Sequence, residues 1–351
     1  MKTKRALFMC ASIIVLVLFS GALAGAADTI EWKGASAGNI NHPYAQAGSK
    51  FLEIMDSKTG GAFTGKWYHS GQVGGEADIV SQLKGNTLQF ATISAALAGT
   101  LNPKATTMFC PYVLRSWDSF NNQWVGSPGA QLILDCLKKD HKILGIEWIP
   151  YGFDALQYKD PPIRKLEDVK GKKLRTAGIY SIKETLEALG ANATPVPWPE
   201  VYQACQQGVV DGFTTPPGMT TAGRLYEVVN NMTLSNHFFG THIFWVRQQA
   251  MEALSPDMQK IVIQSIGEAC RWQQAQMRDY DENAIEQCKT EHGMKIWTLS
   301  DEEMDRWVKA TNKVWLSHEK KIDAKSGDGR EFLRVVFEST GRNYDKEVLG
   351  Q

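Results

Sequence analysis

The chain has 351 residues, with 38 basic and 38 acidic side chains. That balance leaves no basic footprint for nucleic acid or an anionic membrane. The length predicts about two domains, with a core that needs no disulfide staples.

The first residues, Met-Lys-Thr-Lys-Arg, are positive, an apolar run follows over 6–19, and small residues fill 21–27. This pattern reads as a cleavable secretory signal over 1–27, with the mature chain starting at Asp28. The apolar run is shorter than the roughly 20 residues a bilayer span requires. Cys10 lies in mid-run rather than at the cleavage point, which argues against a lipid anchor. Loss of Lys2, Lys4 and Arg5 leaves the mature chain with a net charge of about −3.

Residues 29–35 read as a strand, and 43–59 as a helix with Phe51, Ile54 and Met55 on one face. Gly60-Gly61 stops that helix. A strand over 63–68, a helix over 76–84 opened by Gly74-Gly75, and a strand over 88–93 follow. Alternation at this rhythm predicts a parallel sheet with crossover helices. A second α/β unit begins near Tyr151, with strands over 155–159, 173–176, 193–197 and 212–214. Helices over 179–189, 199–207 and 218–225 fill the gaps, and extended runs cover 229–235 and 241–246. Ser255-Pro256 supplies an N-cap and a first helical residue. The helix it starts runs to about His292, or about 55 Å at 1.5 Å per residue. It lacks the sustained apolar heptads of a coiled coil, so it is read as a brace between domains. Beyond Ser300 the pattern is helical, with Trp307, Val314, Trp315, Phe332, Val335 and Val336 on packing faces. The fold class is therefore α/β, two domains, each a mainly parallel sheet flanked by helices. Residues 28–151 plus 240–275 are assigned to the first domain, and 152–239 plus 276–351 to the second.

Five cysteines follow the signal: Cys110, Cys136, Cys205, Cys270 and Cys288. Cys270 and Cys288 share one predicted helix, about 27 Å apart, beyond disulfide reach. Buried thiols are expected, with a bond between Cys110 and Cys136 left open. No Cys-x-x-Cys or zinc spacing is present, nor a nucleophile elbow, P-loop or His-Glu-x-x-His site. Gly71-Gln-Val-Gly-Gly-Glu lacks the spacing and the following Lys-Ser/Thr of a phosphate loop. The seven histidines are scattered and read as structural. No metal or cofactor is expected, and binding is favoured over catalysis.

The most informative stretch is Lys172-Lys-Leu-Arg-Thr, followed by Pro195-Val-Pro-Trp-Pro-Glu-Val-Tyr-Gln-Ala-Cys-Gln-Gln-Gly-Val-Val-Asp-Gly212. It places Arg175 at a strand end, where ligands of open α/β folds sit. A guanidinium there offers a planar fork matched to a carboxylate.

Together with Leu166-Glu-Asp-Val-Lys-Gly-Lys-Lys-Leu-Arg175, Gly208-Val-Val-Asp-Gly212, Tyr226-Glu-Val-Val and Leu234-Ser-Asn-His237, these motifs carry a family resemblance. The chain resembles the solute-binding proteins of tripartite ATP-independent periplasmic (TRAP) transporters, the DctP-like group, over nearly its whole mature length. The resemblance implies two α/β domains closing on a small organic anion, a periplasmic location, and delivery to integral-membrane permease subunits; a monomer is expected. It also implies that Arg175 grips the ligand carboxylate.

Two departures from the dicarboxylate and sialic acid type bear on the ligand. Where that type reads Asn-Gly-x-Arg, this chain reads Tyr151-Gly-Phe-Asp154, and where it reads Asp-Gly-Gln-Glu-Asn-Pro, this chain has Asp211-Gly-Phe-Thr-Thr-Pro216. A second cleft Arg thus becomes Asp154 and a cleft Asn becomes Thr215, while Trp198 stands where a Phe is usual. A second ligand carboxylate is disfavoured, and an ammonium or hydroxyl suits Asp154 better. Trp198, Tyr151 and Phe213 are the expected apolar lining. Asn39, His42, Gln72 and Ser94, which follow the first three strands, complete the candidate set. Competing assignments are an Asp154 partnered with Lys159, a Trp198 in the core and a Thr215 confined to a turn. At the level of function, a ligand-presenting sensor and an enzyme on the same scaffold are the alternatives.

Overall fold

The computed structural model describes residues 29–351, so the signal predicted over 1–27 lies outside the described residues. The helix Pro43–Thr59 begins where His42 Nδ1 accepts from the Tyr44 amide, and stops at Gly60, whose φ of 58° is left-handed. The strands on either side of it, β1 (Ile30–Ala35) and β2 (Phe63–Tyr68), pair in parallel. The helix Glu76–Lys84 then leads to β3 (Phe90–Ser94), all five residues of which are buried. A strand with no counterpart in the sequence reading, β4 (Ile143–Phe153), follows a run of short helices. The second unit contains β5 (Ala155–Tyr158), β6 (Lys173–Thr176), β7 (Asn192–Pro195), β8 (Gly212–Thr215) and β9 (Asn231–Leu234). The chain returns through β10 (Phe239–Arg247), and β11 (Lys295–Thr298) closes the strand list.

The first sheet has the order β2-β1-β3-β10-β4 and the second β11-β9-β5-β8-β6-β7. Both are mixed. β10 runs antiparallel to β3 and β4, and β5 runs antiparallel to β8 and β9. These antiparallel pairs follow from the way the chain passes between sheets. It crosses outward at Phe153-Asp154-Ala155 and back between β9 and β10. The two crossings are tied where the Asp154 amide donates to Phe238 O at 3.0 Å.

The long helix, Pro256–Thr290, is the third link, capped as expected by Ser255. It packs on the helix Pro43–Thr59 and β4 at one end and on the helix Pro217–Ala222 and β11 at the other. Its Asp281 is buried between the halves and accepts from the Gly218 amide at 2.8 Å. The helix Asp301–Ser326 packs on the helix Tyr180–Ala188 and on the short helix Pro103–Phe109. The helix Gly329–Glu338 lies on Pro128–Leu134, where the Gly129 amide donates to Ser339 Oγ at 3.0 Å. The five cysteines of the described residues are free thiols, so Cys110 and Cys136 are unbridged. Among the described residues no helix is long and apolar enough to cross a membrane.

Candidate functional site

A cavity of about 60 Å3 lies between the two sheets. That is room for about four to six water-sized positions. From the first sheet and its helices it is walled by Tyr44, Glu76, Ser94, Tyr151 and His242; from the second sheet and its flanking helices by Arg175, Trp198, Thr214, Thr215 and Met219; and by Asp154 at the crossing. A larger vestibule of about 440 Å3 adjoins it and shares Glu76, Arg175, Ala177 and Trp198 as walls. Trp198, half-buried, stands between the two spaces.

The strand period explains how Arg175 reaches this space. Leu174 and Thr176 share one face of β6, and Arg175 takes the other. Leu174 is fully buried in the core, and Arg175 is 6% exposed. Its Nε donates to Val196 O at 2.8 Å, just past the end of β7. That bond fixes the guanidinium plane, and the group lies 5.6 Å from the Trp198 ring centre. Among the described residues no carboxylate forms an ion pair or a side-chain hydrogen bond with the group. Burial holds its pKa down at about 10, opposed by the more distant charges of Glu76, Tyr151, Asp154 and Cys205. A buried cation without a partner is costly, and such cost is characteristic of a site completed by a ligand.

Asp154 is its counterpart. It is 4% exposed, with Oδ2 accepting from Thr214 Oγ at 2.7 Å and Oδ1 without a protein partner. Burial raises its carboxyl to about 7, against the opposing effects of the Thr214 hydrogen bond and the Arg175 charge. On the facing wall Glu76 Oε1 accepts from the Ser94 amide at 2.8 Å and from His242 Nε2 at 2.9 Å. The other ring nitrogen of His242, Nδ1, has no partner. Its ring stacks on Tyr44 at 4.3 Å. The arrangement can hold one anionic group on Arg175 and one polar group on Asp154 inside an aromatic collar. Among the described residues no cluster of three metal-ligating side chains is present.

The sequence profile of the DctP family, described as bacterial extracellular solute-binding protein, family 7, matches residues 34–321. The chain belongs to this family of TRAP solute-binding proteins. Among its relatives, the ectoine-binding periplasmic protein TeaA of Halomonas elongata is 28% identical over 298 residues, covering 84% of this chain and 85% of its own. The C4-dicarboxylate-binding protein DctB of Bacillus subtilis is 24% identical over 314 residues, covering 90% and 87%. A TRAP periplasmic solute-binding protein of Desulfovibrio salexigens, solved with bound orotic acid, superposes with a TM-score of 0.83 at 22% identity, covering 89% and 99%. That likeness is one of fold.

In this DctP-family protein six of the residues singled out from sequence meet at the cavity: Arg175, Asp154, Trp198, Thr215, Tyr151 and Ser94. Thr215 turns its hydroxyl to Met219 Sδ at 3.2 Å. Asp154 is not paired with Lys159, whose Nζ instead donates to Cys205 O. Four other candidates lie elsewhere. Phe213 is fully buried in the core of the second sheet, with Val196, Val201 and Met232. Gln72 is exposed on a loop and accepts from the His69 amide. Asn39 Nδ2 donates to Ala222 O at 3.0 Å, strapping the loop after β1 to the helix Pro217–Ala222. His42 stands behind Tyr44, held neutral by burial with its pKa down at about 3.

Tyr44, Glu76, Thr214, Met219 and His242 are cavity residues that the sequence reading did not select. Glu76 carried a usable signal, since it opens a helix directly after a glycine-rich loop at a strand end. His242 carried none, because its role depends on a carboxylate 166 residues away.

Proposed function

We propose that this protein is the solute-capturing subunit of a TRAP transporter. It takes a small organic monoanion, carboxylate or sulfonate, into the cavity between its sheets and delivers it to the membrane permease. The observation that carries this reading is Arg175, a buried guanidinium that lines the cavity and has no carboxylate in an ion pair with it among the described residues. A bidentate anion supplies what the protein leaves out. Asp154 at the other end makes a second carboxylate on the solute unfavourable. The rings of Tyr44, Tyr151 and Trp198 suit an apolar or aromatic body, and an amino group is the remaining variant of the far end. The two α/β units, 28–151 plus 240–275 and 152–239 plus 276–351, are taken as the bodies that close on the solute. The protein acts without catalysis or a cofactor.

The test is calorimetry with succinate, an aromatic monocarboxylate, a zwitterionic amino acid and a short sulfonate. A monoanion should bind without turnover. A solute at 100 times its Kd adds about 2.7 kcal/mol of stability, so thermal unfolding screens the panel first. Tight binding of succinate alone would refute the monoanion assignment, and consumption of a solute at catalytic protein concentrations would refute the transport reading.

A further inference from the structure

A second feature of the cavity bears on the solute's far end, and its consequences rest on the anion reading of Arg175. Asp154 heads a buried chain of side chains. Thr214 Oγ lies 2.7 Å from Asp154 Oδ2 and 2.8 Å from His237 Nε2, and His237 Nδ1 lies 2.8 Å from Ser235 Oγ. All four residues are buried. A threonine hydroxyl has one proton. If Thr214 donates it to Asp154, then His237 Nε2–H donates to Thr214 and Ser235 donates to Nδ1.

This chain gives an ionised Asp154 a single hydrogen bond, where a buried carboxylate has about four acceptor positions to satisfy. Asp154 lines the cavity, and its Oδ1 is buried with no hydrogen-bond partner.

The charged and titratable groups around Asp154 come from five elements. They are Arg175 at the end of β6, Tyr151 on β4, Glu76 on the helix Glu76–Lys84, His242 on β10 and Asp281 on the long helix, with His237 behind Thr214. His237 is held neutral by burial, its pKa down at about 3. His242 Nε2 is hydrogen-bonded to Glu76, and its Nδ1 has no partner. Burial raises the Asp281 carboxyl well above the usual range, and Tyr151 likewise. Arg175 is the cation whose charge favours an ionised Asp154. A solute anion that pairs with Arg175 cancels that charge and adds its own to the same enclosed space.

We infer that Asp154 binds the solute as the neutral acid: a solvent proton goes onto Oδ1, and Oδ1–H donates to an uncharged oxygen of the solute. Capture of one anion then takes up one proton. The favoured solutes are monoanions carrying a hydroxyl, keto or amide oxygen beyond the carboxylate, in preference to zwitterions and plain alkanoates. The position of the free Asp154 carboxyl near 7 places the coupling in the physiological range.

Two matched sets of probes test this: 3-hydroxybutyrate, butyrate and 3-aminobutyrate, and mandelate, phenylacetate and phenylglycine. Each is titrated calorimetrically at pH 6, 7 and 8, in pairs of buffers with different ionisation enthalpies. The hydroxy acid of a set should bind best. It should take up about half a proton at pH 7 and close to one at pH 8, with affinity about fivefold weaker at pH 8 than at pH 7. Asp154→Asn, whose amide offers an uncharged N–H donor, should bind it with the wild-type pH 6 affinity at all three values. Strongest binding by the amino member with proton release, or wild-type affinity flat with pH, overturns the inference. Arg175→Ala separates it from its parent reading. Binding that needs Arg175 but ignores pH defeats only the Asp154 assignment. Binding indifferent to Arg175, or none by any probe at millimolar concentration, defeats both.

Discussion

Replacing Arg175 by methionine should stabilise the solute-free protein while removing its capture of anions. The guanidinium is 6% exposed, and burial lowers its pKa from 12.5 to about 10. At about 1.36 kcal/mol per pKa unit, folding disfavours the charged form by about 3 kcal/mol. Because the folded-state value is the lower one, this penalty is fully present at every pH below about 10 and fades only as pH rises beyond it. A comparison at pH 7 therefore contains all of it. Methionine fills much of the same volume without charge. Against the gain stand the lost Nε bond to Val196 O, which strands a carbonyl at about 1–2 kcal/mol, and the lost contact with the Trp198 ring, about 0.5–1 kcal/mol. The net expectation is about 1 kcal/mol of added stability, or about 2–4 °C in melting temperature. In the presence of solute the order reverses. Truncating one partner of a buried charged pair costs about 2–5 kcal/mol of affinity, at least about 30-fold. Differential scanning calorimetry of both proteins, with and without a solute that binds the wild type, measures the two effects together. A solute-free Arg175→Met protein that melts below wild type would refute the argument that this cation is unpartnered. A variant that keeps the full solute-dependent shift would refute its role as anchor.

Trp198→Ala should join the cavity to the vestibule and weaken binding about tenfold through lost ring contact, with the solute-free melting temperature little changed; equal affinities by calorimetry would contradict this. Gly152→Ala should destabilise by more than about 2 kcal/mol, because Gly152 has φ +111° and an added Cβ would lie 1.9 Å from Asp281 Oδ2. Urea unfolding reads that loss, and a stability equal to wild type would show that Asp281 moves aside freely. Since the cavity takes walls from both sheets, solution scattering should give a smaller radius of gyration with solute than without it; identical radii would argue against closure by hinge rotation.

Local chemistry made much of the fold legible. The helices Pro43–Thr59 and Glu76–Lys84 and the strands Phe63–Tyr68 and Lys173–Thr176 fall at the expected residues. Their boundaries are marked by proline, glycine and capping side chains that act within a few residues. The long helix was legible for the same reason, through Ser255-Pro256 at its start, and so was Arg175, whose place at a strand end is a property of the segment around it. β4 was not legible, because it lies beyond a run of short helices whose signals are weak, and its pairing partner β10 is almost 90 residues later. The mainly parallel character of both sheets was legible, but the one reversed strand in each, β10 and β5, was not, because the two crossings between the halves set those directions and no local pattern encodes a neighbour.

The sequence alone placed an arginine at the end of a strand, whereas the position of Asp154 at the crossing between the sheets came from the structure. Tertiary structure decided that this arginine has no carboxylate partner, that Asp154 keeps one oxygen free, and that Glu76 and His242 are bound to each other on the opposite wall. Phe213 shows the same division in reverse, a residue between two site threonines and glycine that packs into the core. The physical reason is range. Caps, turns and strand alternation are decided within one or two turns of chain, whereas the charge balance of a cavity depends on groups brought together from distant segments and on the water they exclude.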